Sequence, residues 1–164
     1  MGLLKILQVC LIKKKMNLGI YNNFFKKNYY EPNLPTKIFP YLSTIASASI
    51  DVSDGFAQDL SHICKLSKCG ATVDVSKIPL SFAAQKIVFM KKIHIKDMFS
   101  KGDDYQILFT SKIKNRNKIS SLSKKLNLRI SRIGFTNNDL NINFKYKGKK
   151  LELSATKMGY THTF

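Results

Sequence analysis

The sequence predicts an α/β fold in which a mixed β-sheet packs with helices. Three observations predict it. Short segments of strand and of helical periodicity alternate from about residue 46 onward. YQILFT at 105–110 is dense in apolar and aromatic residues, as a sheet strand requires. INFKYKGKKLEL at 142–153 resembles a hairpin turning at Lys147-Gly148. The 164-residue chain, with 44% apolar residues, is long and apolar enough to bury a real core.

In chain order, an apolar start is broken by KKK at 13–15, and NLGIYNNFFKKNYY then reads as an aromatic helix. EPNLP at 31–35 carries two prolines and predicts a turn. LPTKIFPYLSTIA predicts a short helical segment in which Pro40 kinks or ends the helix. ASASID at 46–51 suits a buried strand. Residues 54–67 predict a helix, because Phe56, Leu60, Ile63 and Cys64 form one apolar stripe at i, i+4, i+7 and i+8. TVDV at 72–75 alternates like a strand, and IPLSFAAQKIVFMKK reads as a turn and a helix. Ile119, Leu122 and Leu126 sit at helical spacing within 115–128, and RISRIGFT at 129–136 predicts another strand.

The formal charge is +18, from 28 Lys and Arg against 10 Asp and Glu. The excess is almost all lysine, spread along the chain, so a solvated basic surface accounts for it. Such a surface attracts anions, phosphates included. No aromatic–basic platform or helix-turn-helix pattern accompanies the charge, so nucleic acid is not an expected partner. MGLLKILQVCLI is too short for a membrane helix of roughly 20 residues, and its basic run follows the apolar one, the wrong order for a signal peptide. No membrane partner is expected. Cys10, Cys64 and Cys69 show no metal-binding or CxxC spacing, which fits a reducing, cytoplasmic location.

Against this basic background, SASIDVSDGFAQDLSHI at 47–63 places Asp51 and Asp54 around Ser53 at a strand-to-helix corner. Ser53 stands where an N-cap belongs, and Asp54 then suits the first turn. Asp51, at the end of an apolar strand, costs free energy unless something pairs with it. Mg²⁺ would satisfy both acids, since it takes carboxylate, phosphate and water oxygens. The adjoining helix N-terminus is expected to offer free N–H groups to phosphate. A second acidic pair, Asp103 and Asp104, directly precedes YQILFT. A polar turn would explain that pair alone; two acidic pairs at two strand edges point to a Mg²⁺–phosphate site.

These segments resemble the thiamine-monophosphate kinase family. DVSDGFAQDLSHI is similar to the family's D-I/V-S-D-G-L-x-x-D-L-x-H-I/L segment, and KGDDYQILFT to its G-G-E/D-D-Y-E/Q-L-x-F-T segment. KCGATVDVSKIPLS, RISRIGFT, the closing MGYTHTF and the upstream KNYYEPNLP also resemble family segments. The likeness runs in order over about residues 17–164. It implies the C-terminal α/β domain of the aminoimidazole-ribotide synthetase superfamily over 31–164. Residues 1–30 would then be a remnant of the N-terminal ATP-binding half and its connecting helix. It also implies Mg²⁺-assisted transfer of a phosphoryl group from ATP to thiamine monophosphate, giving thiamine diphosphate. Asp51 and Asp54 would ligate Mg²⁺, and Ser53 would touch the ATP phosphates. Asp103 and Tyr160 would face the thiamine substrate, with Asp104 and Tyr105 shaping that pocket's wall. The family's N-terminal half carries further aspartates for Mg²⁺ and the nucleotide and forms the dimer. The resemblance does not extend to it, so the chain is expected to be a truncated, C-terminal half, the product of a split or a decaying gene, inactive without an N-terminal partner that a separate gene would encode. Another member of the superfamily, or a non-catalytic basic binding domain, is the alternative. Lys101 replaces a family glycine and Asp103 a glutamate. His62, His94 and His162 are not expected to be ligands.

Overall fold

A computed structural model of the chain describes residues 18–99 and 104–152. The expectations placed on 1–17, on Lys101 and Asp103, and on the tail with Tyr160 and His162 lie outside the described residues.

Five α-helices and six strands occur among the described residues. Helices α1 (Asn22–Tyr30) and α2 (Phe39–Ile45) come first, followed by strand β1 (Ala48–Asp51), helix α3 (Phe56–Leu66) and strand β2 (Gly70–Asp74). Helix α4 (Phe82–Phe89), strand β3 (Ile107–Thr110) and helix α5 (Arg116–Lys125) follow, and then strands β4 (Gly134–Asn137), β5 (Ile142–Tyr146) and β6 (Lys149–Leu151). Pro40 lies in the first turn of α2, where its missing N–H costs nothing, so it opens the helix instead of kinking it. The α2 C-terminus is held by Ser111 Oγ and Asn115 Nδ2, which both donate to the Ile45 carbonyl.

The expected mixed sheet is present, with strand order β4-β2-β5-β6. Strand β2 pairs antiparallel with β4 and parallel with β5, and β5–β6 form the expected hairpin. Lys147 and Gly148 turn that hairpin with φ of 50° and 78°, the left-handed pair that a two-residue hairpin turn requires. Gly134 lets β4 approach β2 closely, since a Cβ there would lie 2.1 Å from the Thr72 carbonyl oxygen. Strand β4 is shorter than RISRIGFT predicts. Ile130 instead packs beside α5 in a second apolar cluster.

Strands β1 and β3 form a separate two-stranded antiparallel ladder, with Asp51 opposite Ile107 and Ala48 opposite Thr110. Strand β1 is therefore half-buried, alternating between inward and outward residues, not fully buried as its apolar run suggested. Ile38 and Ile45 before it and Leu122 of α5 close one small core, joined by Ile107 and Phe109 of β3.

The larger core lies between α3, α4 and the four-stranded sheet, and it includes Leu18 and Phe25. The predicted α3 stripe is its centre. Phe56 meets Phe99 edge-on at 6.1 Å and Phe144 at 6.4 Å, while Leu60, Ile63 and Cys64 are buried. Removing a buried phenyl ring of this kind costs about 3–5 kcal/mol. Burial pushes the Cys64 thiol up to about 11, assisted by neighbouring Cys69. Cys64 is therefore a packed thiol and not a nucleophile at neutral pH. No helix among the described residues is long and apolar enough to cross a membrane.

Candidate metal centre at the β1–α3 corner

The corner is built by a buried acid that the sequence did not single out. Helix α3 starts at Phe56, with Gly55 as N-cap at φ 130° and ψ 140°. Ser53 is therefore not the cap, and Asp54 precedes the helix instead of lying in its first turn. Gly55 admits a backbone conformation that a side chain would strain. The capping acceptor comes from inside the helix: Asp59 Oδ2 accepts the N–H groups of Asp54 at 3.2 Å and Gly55 at 3.1 Å. Asp59 itself is only 1% exposed.

Three amides at this corner are already engaged. The amides of Asp54 and Gly55 are taken by Asp59, and the Ala57 amide donates to the Phe99 carbonyl at 3.1 Å. An anion approaching this corner cannot draw on those three donors without displacing an existing hydrogen bond.

Three carboxylates gather here. Asp51 ends β1 exposed to solvent, and Asp54 is half-buried with Gln58 Nε2 donating to its Oδ2 at 3.5 Å. Burial pushes the Asp59 carboxyl above its usual 3.8; the charges of Asp54 and Asp51 add to the rise, and the two amide donors oppose it. Among the described residues no lysine or arginine pairs with any of the three, although the chain carries 28 basic residues. His62 joins them on α3. One ligand atom each from Asp54, Asp59 and His62 lies within 4.8 Å of the others. The signal for His62 was present in the sequence, because Asp59 and His62 are i and i+3 on one helix face. The hard oxygen donors fit Mg²⁺, whereas the exposed imidazole suits softer metals.

The second acidic segment abuts the first. The Val52 carbonyl, fully buried, accepts the N–H groups of Asp104 at 3.2 Å and Tyr105 at 3.0 Å, and the Val52 N–H donates to the Gln106 carbonyl at 2.8 Å. Tyr105 has φ 50°, a conformation rare for a bulky residue, so regular pairing in β3 begins only at Ile107. Asp104 is buried to 6% exposure. Phe99 and Asp104 flank the four residues that include Asp103, and both are tied by hydrogen bonds to 52–57. The structure thus brings Asp104 and the Asp51–Asp54 segment to one end of the β1–β3 ladder. His94 lies apart and exposed.

Comparison with known proteins agrees with this architecture. No family model matches the chain. A curated thiamine-monophosphate kinase of Buchnera aphidicola subsp. Schizaphis graminum is 34% identical over 160 residues, covering 93% of this chain and 47% of that protein. The Salmonella typhimurium thiamine-monophosphate kinase is 35% identical over 128 residues, covering 74% of this chain and 37% of its own length. Among solved structures, the Stenotrophomonas maltophilia K279a thiamine-monophosphate kinase superposes with TM-score 0.73 at 24% identity, covering 92% of this chain and 48% of that one. AaThiL complexed with AMPPCP and TMP gives TM-score 0.70 at 23% identity, with 96% and 46% covered. The chain spans about half the length of the curated relatives it matches. By sequence along nearly its whole length, and by fold, the chain is a homologue of the thiamine-monophosphate kinases.

Proposed function

We propose that this chain is the metal- and substrate-holding portion of a thiamine-monophosphate kinase, acting in thiamine biosynthesis in the cytoplasm. The observation that carries the proposal is the β1–α3 corner. Asp51, Asp54 and Asp59 converge there without a basic partner among the described residues, in a protein of net charge +18. Uncompensated like charges at a partly buried site call for a cation. In this reading Asp51 and Asp54 hold Mg²⁺, Ser53 contacts the phosphates of ATP, and Asp103 and Tyr160 address thiamine monophosphate. AaThiL complexed with AMPPCP and TMP supports those two ligand classes.

Mg²⁺, when bound, would neutralise phosphate charge and allow an anionic nucleotide to approach carboxylates. The chain's own residues supply the rest. Phosphoryl transfer depends on in-line positioning and charge stabilisation more than on covalent chemistry. Asp51 and Asp54 are fixed relative to the 104–106 segment by the Val52 hydrogen bonds. In this reading a nucleotide held near Asp54 lies beside the backbone of the 104–106 segment. Residues 1–30 act in this reading as the link to an N-terminal nucleotide-binding half, with 31–164 the C-terminal domain. In this reading full turnover needs that other half, through which a dimer would also form.

The test is reconstitution. The chain is mixed with the N-terminal half of the Buchnera relative, Mg²⁺, ATP and thiamine monophosphate, and thiamine diphosphate is quantified. Turnover is expected only with both halves, and Asp51→Asn should abolish it. A folded, associated mixture that forms no thiamine diphosphate overturns the kinase reading.

A further inference from the structure

We infer that Asp59 is the positioning residue of this corner and not one of its metal ligands. The inference rests on the metal reading above and goes further by assigning an acid that reading left without a role. Asp59 grips the segment carrying Asp54 three times. Its N–H donates to the Gly55 carbonyl at 2.9 Å, and its Oδ2 accepts the Gly55 and Asp54 amides at 3.1 and 3.2 Å. Two consecutive amides converge on one oxygen where Gly55 holds φ 130°. Those two bonds engage Oδ2, and the residue is only 1% exposed.

Asp54 is thereby held at its own backbone, with Gln58 steadying its Oδ2. Without the grip, the residues between Val52 and Phe56 would lose their anchor, and the Asp54 carboxylate would no longer be presented at a fixed distance from Asp51. Holding a metal-binding group in place is typically worth about 10–100-fold in metal affinity. The rival assignment is direct ligation by the Asp54, Asp59 and His62 cluster. The two differ in what they require of Asp59. Positioning requires an acceptor of aspartate length, and ligation requires a charge.

The experiment measures binding of Mn²⁺ alone, by the electron paramagnetic resonance signal of the free ion, to the full chain and its variants. Asp59→Asn keeps the length and the acceptor but removes the charge, and its affinity should stay within about threefold of the parent. Asp59→Glu keeps the charge but is one methylene too long to receive both amides, and it should bind about tenfold or more weakly. Asp59→Asn losing as much affinity as Asp54→Asn would overturn the inference in favour of ligation. Asp59→Glu binding like the parent would overturn it as well. If Asp59→Glu does not fold, hydrogen exchange of the Asp54 and Gly55 amides in Asp59→Asn decides. Retained protection with retained affinity supports positioning, and lost protection with retained affinity refutes it. A parent chain that binds no Mn²⁺ overturns the metal reading itself and this inference with it, a result distinct from a failure among the variants.

Discussion

Two strands of this molecule end in acid and run into a helical turn, and the two corners handle that charge in opposite ways. At the end of β2, Asp74 caps the short 3₁₀ turn Val75–Lys77. It accepts the Ser76 N–H at 3.1 Å and the Ser76 hydroxyl, and Lys77 Nζ lies 3.3 Å from its Oδ2. The Ser76 hydroxyl, with Lys77 behind it, holds this carboxyl below its usual value. At the end of β1, three carboxylates share a corner with no lysine or arginine partner among the described residues, and Asp59 is pushed upward. Chance would have supplied a lysine more readily than an acid in this chain. One corner is a finished structural cap, and the other leaves its carboxylates without a basic partner among the described residues, which is what the proposed metal reading requires.

The largest expected effect is on metal affinity. Asp54→Asn should weaken Mn²⁺ binding by about tenfold or more, a change on the scale of lost metal-site groups, while Asp74→Asn should leave it unchanged in the same titration. Equal losses at both would erase the distinction between the corners. Next comes the backbone. Gly55→Ala forces a side chain into φ 130° and should cost about 1–3 kcal/mol in urea unfolding. A change within a few tenths would show that the corner tolerates other geometries.

A smaller effect concerns pH in metal-free buffer. The native state holds the Asp59 proton more tightly than the unfolded chain does. That group's contribution to stability is therefore full below about 3.8 and is lost as pH rises through its raised native value. Asp74 has the opposite sign: its contribution is present above 3.8 and is lost as pH falls through its lowered native value. Melting temperature against pH for Asp59→Asn and Asp74→Asn, each relative to the parent, should give slopes of opposite direction. The smallest effect is expected from Lys77→Gln. An exposed ion pair of this kind contributes little, so its melting temperature should match the parent's at moderate salt.

How much of this was legible in the sequence differs by scale. The α3 stripe was, because Phe56, Leu60, Ile63 and Cys64 repeat at the helical period and nothing overrides them. The β5–β6 hairpin was, because Lys147-Gly148 leaves few alternatives. Asp51 and Asp54 stood out through scarcity of acids, and the structure puts both at one corner. The role of Asp59 was not legible. N-cap rules look at residues before a helix, and Ser53 was the natural choice. Here a side chain within the first turn reaches backward, beside a Gly55 conformation that no residue pattern announces. The split into two sheets was not legible either. Where β1–β3 pairing stops was hidden as well, since Tyr105, just before the last pair at Ile107, adopts a left-handed backbone that no propensity favours. The strand predicted at 129–136 was cut short by tertiary context, since Ile130 finds its apolar partners beside α5 before β4 begins.

The Val52 carbonyl, shared by two amides from the other acidic segment, makes the two stretches a single heritable unit. A change that shifts the backbone at 104–106 would be felt at 51–54, so paired substitutions across them should not combine additively. Anyone grafting this corner onto another scaffold would need to carry both stretches together.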